Sequence, residues 1–274
     1  QDVYLKVTGR EQIREVRIKS SLREDGQAEV MVTVWAVNGG EGRMQVRFGD
    51  ASVTCMEEEG VFEAVFRIKE PRLWWCNGQG EPYEYPLEIN LYNKAGKLSD
   101  TYGQMYGIRE IRFEQNENTP DEGGRFLLKL NGRTVFINGY NWVPADMLYG
   151  AVTKERTDYL IHLARKAGVN MLRVWGGGLI ERDAFYQKCA QEGILVWQEF
   201  ILSSSGIENR PSKEQEYLKM MERQAEVIIK KKRNHTALAL WCGGNELQEL
   251  DGRPLTEAHP LLKMLRGAVE KWDQ

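Results

Sequence analysis

Two stretches of this chain, Ala164-Arg-Lys-Ala-Gly-Val-Asn-Met-Leu-Arg-Val-Trp175 and Cys189-Ala-Gln-Glu-Gly-Ile-Leu-Val-Trp-Gln-Glu-Phe200, carry the same local pattern: a helix end, a glycine, then an apolar strand. Their glycines, Gly168 and Gly193, lie 25 residues apart. A glycine just past the last helical turn supplies the left-handed conformation that closes a helix. The near-continuous apolar run that follows suits a strand buried on both faces. Helix-glycine-strand units in series require a parallel sheet with right-handed crossovers. Few architectures satisfy that pattern.

The units continue on both sides. Leu130 to Phe136 reads as a hairpin around Asn131-Gly132, leading into a strand that ends near Asn141-Trp142. A helix follows Thr153, with Leu160, Leu163, Ala164 and Ala167 on one face. A second helix spans about Asp183 to Glu192. A third opens with Ser212-x-x-Gln215, a capping-box pattern, and carries Leu218, Met221, Ala225, Ile228 and Ile229. A fourth strand, Ala237 to Trp241, precedes a helix with Leu262, Leu265, Val269 and Trp272. A complete (β/α)8 TIM barrel takes ~250 residues, whereas residues 125–274 number 150 (274 − 125 + 1). The expectation is an incomplete barrel of about four βα units.

Residues 1–114 follow a different period. Met44, Val46 and Phe48, then Phe62, Ala64, Phe66 and Ile68, then Leu87, Ile89 and Leu91 alternate with polar residues, as half-buried strands do. Asn38-Gly39 is a hairpin signal, and Asn93-Lys-Ala-Gly96 is a turn. About seven short strands at this spacing suggest an immunoglobulin-like β-sandwich. Residues 115–124 (QNENTPDEGG) are polar and rich in breakers, so a linker is expected there. The chain is therefore multidomain, β followed by α/β.

A net charge of −3 gives no reason to expect nucleic acid as a partner. The basic run Lys230 to Arg233 reads as a solvated helix end. Cys55, Cys76, Cys189 and Cys242 show no paired spacing, and His162, His235 and His259 no ligand spacing. No metal or cofactor is expected. No stretch reaches the length of a membrane span, and the N-terminal residues do not form a signal peptide. The compartment is left open. Asn234-His-Thr236 fits a glycosylation sequon but adjoins a buried strand.

Chemistry gathers at the C-terminal ends of the four strands, where barrel enzymes build their sites. Asn141, Trp142 and Asp146 follow the first strand, Arg173 and Trp175 the second, Trp197 and Glu199 the third, and Asn245 and Glu246 the fourth. Tryptophan faces with carboxylates and amides are the groups that hold a sugar ring. Each has a plainer reading: a packed tryptophan, a buried ion pair, or Glu246 as an acid in a first helical turn. Gly176-Gly-Gly178 lacks the spacing of a nucleotide loop.

The segments LWWCNGQGEPYEYPLEI, YGIREIRF, LNGRTVFINGYNWVPADMLYG, GVNMLRVWGGG and RNHTALALWCGGNE resemble glycoside hydrolase family 2, most closely its beta-mannosidases. The resemblance covers nearly the whole chain and is strongest from Phe126 to Glu246. It implies Glu246 as general acid/base, Asn245 as the neighbour that hydrogen-bonds the sugar 2-hydroxyl, and Arg173 as the residue orienting the nucleophile. Trp142, Asp146 and Trp175 fall on positions expected to line the pocket, with Asn141 and Glu199 beside them. The family places the nucleophile at the end of strand 7, beyond the four units found here. The sequence departs from the family at Glu199, where Asp is usual, in the loop that follows it, and at Cys76, where Pro is usual.

The chain is thus expected to be a fragment of a retaining exo-β-glycosidase, inactive by itself, with a carbohydrate substrate. Open sheet edges at strands 1 and 4 predict self-association or poorly ordered rim loops. Two other readings stand: a non-catalytic carbohydrate-binding or scaffold module, and a family 2 enzyme for β-galactosides, β-glucuronides or β-glucosaminides.

Overall fold

The computed structural model of the chain describes residues 5–40, 42–116, 119, 126–203 and 209–273. They form two compact units, one of Gln1–Trp75 with Gln79–Phe136, the other of Cys76–Gly78 with Ile137–Gln274.

In the first unit β1 (Gln12–Leu22), β2 (Ala28–Val37) and β5 (Val61–Ile68) form one antiparallel sheet in the order β1-β2-β5. The other sheet, ordered β4-β3-β6-β7, is built from β3 (Arg43–Phe48), β4 (Ala51–Met56), β6 (Tyr85–Tyr92) and β7 (Leu98–Tyr106). Alternation turns every second side chain inward. Val30, Val32, Phe62 and Phe66 of one sheet meet Met44, Phe48, Leu87 and Ile89 of the other in a single core. This is the expected immunoglobulin-like sandwich. Asn38-Gly39 is not a hairpin turn, however. Asn38 has the left-handed φ of 57° that the motif favours, yet it connects β2 and β3, which belong to different sheets. A turn signal fixes local backbone, not which strands pair.

The two compact units divide at Phe136, beyond the residues 115–124 read as a linker. Residues 117, 118 and 120–124 lie outside the described residues. On either side, β8 (Ile111–Gln115) pairs antiparallel with β9 (Phe126–Leu130), which pairs with β10 (Arg133–Val135) through an Asn131-Gly132 turn at φ 51° and 78°. These pairings carry the chain to Phe136 within the first unit. The polar, breaker-rich stretch lies in sequence between two strands that pair with each other.

The second unit contains the four βα units. Strands β11 (Gly139–Trp142), β12 (Met171–Val174), β13 (Leu195–Glu199) and β14 (Leu238–Cys242) pair parallel in sequence order. They alternate with α1 (Lys154–Lys166), α2 (Asp183–Gln191), α3 (Gln215–Lys232) and α4 (Pro260–Trp272). Gly168 (φ 81°) and Gly193 (φ 70°) close α1 and α2 as the repeated joint demanded. The Thr153 side chain caps α1 by accepting from Arg156 N at 3.2 Å. The box expected at Ser212 does not form, because α3 begins at Gln215 behind Glu214, and the Ser212 hydroxyl accepts from Glu214 N instead.

Between this sheet and its helices, Trp142, Leu172, Val174 and Val196 pack with Ile161, Phe185 and Tyr186. Met221, Ala225 and Ile229 of α3 pack with Leu261 and Leu265 of α4. The end of α3 is not the solvated run expected. Lys232 is 6% exposed, and its Nζ donates to Asp183 Oδ1 at 2.6 Å and Glu181 O at 2.8 Å. The sequon is buried too, with Asn234 and Thr236 at 6% and 2% exposure.

Candidate active site

Period-2 alternation divides the side chains of the parallel sheet. Register places Asn141 beside Arg173 and Arg173 beside Trp197, with Glu199 opposite Cys242. The intervening Trp142, Val174, Gln198 and Trp241 occupy the opposite face, against the helices.

Arg173 is the hub. Its Nε and Nη2 donate to Glu199 Oε1 at 2.9 and 2.7 Å, Nη1 donates to Asn141 Oδ1 at 3.0 Å, and Nη2 also donates to Asn245 Oδ1 at 2.8 Å. Three strands and the loop after the fourth are thereby tied through one guanidinium. Glu199 is 1% exposed, and its other oxygen accepts from Gly176 N at 2.7 Å. Both oxygens of this carboxylate are held by protein donors, which lets an ionised group stay buried.

Glu246 stands differently. It is exposed, and its φ of 52° is the left-handed conformation that an L-residue adopts at a cost of roughly 1–2 kcal/mol. Such strain persists where the surroundings dictate it, and it clusters at functional sites. Two residues earlier in the same turn, Gly244 is closely confined. At φ 146°, a side chain on it would come within 2.7 Å of Leu202 Cβ and 2.8 Å of Leu202 O. Asn245 N in turn donates to Leu202 O at 2.9 Å. The strand-to-loop turn therefore packs tightly on the segment after β13, with the Asn245 side chain turned in and Glu246 exposed.

The remaining expected residues are not brought into this network. Trp142 lies on the helix side of β11, its indole donating to Glu181 Oε1 at 3.0 Å and its ring 5.0 Å from that of Phe185. Strand alternation made this unavoidable once Asn141 faced Arg173. Asp146 accepts from Leu148 N at 3.0 Å and faces Arg156 of α1 at 3.5 Å. Trp175 is half-buried, with its ring against Gly177.

Sequence reasoning missed several partners. The Cys242 thiol lies 3.7 Å from Glu199 Oε1, and burial raises its pKa, so it stays a neutral thiol. Ser203 accepts from Asn245 Nδ2 at 3.2 Å. Behind the site, the Tyr186 hydroxyl donates to Gln198 Oε1 at 2.6 Å, and Gln198 Nε2 to Glu199 O at 2.8 Å. Only the glycines after Trp175 carried a signal, since they mark a close backbone approach; Ser203 and Tyr186 carried none.

One arginine thus joins a buried carboxylate and two asparagines at the strand ends, next to an exposed glutamate. The family model of glycosyl hydrolases family 2 matches residues 2–109, and that of the family's TIM barrel domain matches residues 123–268. The chain belongs to glycosyl hydrolases family 2.

This family 2 chain is 34% identical to Beta-mannosidase B of Emericella nidulans over 196 residues, covering 70% of the chain and 22% of the relative. It is 41% identical to the mannosylglycoprotein endo-beta-mannosidase of Lilium longiflorum over 184 residues, covering 65% of the chain and 18% of that protein. Among solved structures, the Beta-D-mannosidase of Dictyoglomus thermophilum superposes with a TM-score of 0.77 at 30% identity, covering 88% of this chain and 30% of the other. The chain thus spans less than a third of the length of these three proteins. The beta-glucuronidase of Parabacteroides merdae has a TM-score of 0.75 at 19% identity, covering 96% of this chain and 34% of the other, a likeness of fold alone.

Proposed function

We propose that this chain supplies the acid/base half of the active site of a retaining exo-β-glycosidase acting on terminal β-mannosides. The observation that carries the reading is the contrast between two carboxylates at one rim. Glu199 is buried with both oxygens engaged, whereas Glu246 is exposed and follows directly on the Asn245 amide held by Arg173. Of the two, Glu246 is the one a substrate can reach. The names of the related mannosidases support the sugar.

In this reading Glu246 protonates the glycosidic oxygen as the bond to the anomeric carbon breaks. A second carboxylate, ~5–5.5 Å away in retaining enzymes, attacks that carbon. Glu246 then takes a proton from water, which hydrolyses the covalent intermediate. The 274 residues by themselves do not turn over, because an acid/base without a nucleophile cannot complete both displacements.

The test uses an aryl β-mannoside, offered to the 274-residue chain and to a longer protein that contains it. The longer protein hydrolyses it and releases mannose first as the β-anomer by NMR, and Glu246→Gln removes nearly all turnover. Turnover by the 274-residue chain would overturn its proposed inactivity. Full activity of the Glu246→Gln variant would overturn the assignment of the acid/base.

A further inference from the structure

The hydrogen bond between Ser203 and Asn245 points to a role for a residue that the mannosidase motifs do not include. An arginine has only donors, so the Asn245 atom that meets Arg173 Nη2 at 2.8 Å is Oδ1. The planar amide then turns Nδ2 the other way, where the Ser203 hydroxyl accepts from it at 3.2 Å. Both amide ends are anchored.

One anchor would not suffice. The final torsion of asparagine is broad, so an amide held only by its oxygen can still swing about that contact. With Oδ1 on Arg173 and Nδ2 on Ser203, the plane is fixed. Each end has two hydrogen-bonding positions, so one Nδ2 hydrogen remains to donate outward. Asn245 is 8% exposed, so the amide as a whole has little room to move.

We propose that Ser203 is a positioning residue, which holds the Asn245 amide so that its second Nδ2 hydrogen donates to the sugar hydroxyl next to the scissile bond. This rests on the glycosidase reading above. Ser203 does not touch the substrate; it fixes which end of Asn245 does. Because that contact is to a hydroxyl beside the reacting carbon, loss of orientation acts on the transition state.

The test begins with the 274-residue chain, in which Ser203→Ala shifts or broadens the NMR signals of the Asn245 side-chain amide and Ser203→Thr restores them. In the longer active enzyme, Ser203→Ala lowers kcat on an aryl β-mannoside by on the order of tenfold with little change in KM, and Ser203→Thr recovers most of it. On the 2-deoxy analogue, which lacks the hydroxyl, Ser203→Ala costs little. Equal losses on both substrates, or no loss on either, would overturn the proposal. Failure of the glycosidase reading shows differently: the unmodified longer enzyme would cleave no glycoside at all, and the positioning role would fall with it.

Discussion

Arg173 directs two N–H groups at a single oxygen of Glu199, from Nε at 2.9 Å and from Nη2 at 2.7 Å, while the second oxygen accepts from the backbone of Gly176. One carboxylate thus fixes both the guanidinium and the turn after β12. Truncating one partner of a fully buried pair costs about 3–5 kcal/mol, because the other charge is left uncompensated. Arg173 keeps 27% of its side chain exposed, so the low end of that range applies. Glu199→Ala is expected to destabilise the barrel unit by roughly that amount. Glu199→Gln, which keeps the shape but not the charge, should cost less. Urea denaturation of the two variants checks the order.

Glu246 offers a separation of stability from chemistry. Its φ of 52° penalises any residue with a side chain. Glu246→Gly and Glu246→Ala both remove the carboxylate, but only glycine relieves the backbone. The glycine variant is expected to be more stable than the alanine variant by about 1 kcal/mol, with both inactive in the longer enzyme. Equal midpoints would mean that the left-handed turn carries no strain.

Gly176 has no room for a side chain. A Cβ there would lie 2.5 Å from Leu202 O and 2.6 Å from Phe200 O, both backbone atoms. Gly176→Ala must move the turn, at a cost of about 1–3 kcal/mol, and it disturbs the N–H that Glu199 accepts. A lower thermal midpoint, with weakened hydrogen-exchange protection at residue 176, is the expected result.

Asn77 closes the end of α1. Its Nδ2 donates to Arg165 O in the last turn and to Val169 O just beyond it, both at 2.9 Å, bridging the helix end and the segment that leads to β12. Asn77→Ala is expected to cost about 1–2 kcal/mol. Asn77→Asp should cost more, since a carboxylate would face two carbonyl oxygens. If the Asp variant were as stable as wild type in thermal melts, this bridging role would be excluded.

Asp183 gives the barrel unit an acid-sensitive contact. The hydrogen bond from His235, followed by that from Lys232, holds its carboxyl well below the usual aspartate range. A carboxyl depressed in the folded state adds stability that is present above the unfolded pKa of about 3.9 and lost as pH falls through the folded value. Asp183→Asn should therefore flatten the decline in stability below about pH 4. The effect is modest, because the Asp183 side chain is 64% exposed. Melting temperatures across pH 2–6 for both proteins provide the comparison.

How much was readable from sequence depends on the range of the forces involved. Gly168 and Gly193 fixed two helix ends, and alternation through Phe62, Ala64 and Phe66 fixed which face of a strand is buried, because both act over a few residues. The same local rules named Arg173, Asn245 and Glu246 as strand-end groups. They could not say that residues 126–130 pair with β8, that Trp142 turns towards Phe185, or that Lys232 is buried against Asp183. Each of these depends on a partner well outside the reach of local periodicity, and such pairing is decided only when the sheet and its helices assemble. The contrast between Glu199 and Glu246 is of the same kind. Two glutamates at strand ends look alike in sequence; the tertiary structure surrounds one with donors from Arg173 and Gly176 and leaves the other facing solvent.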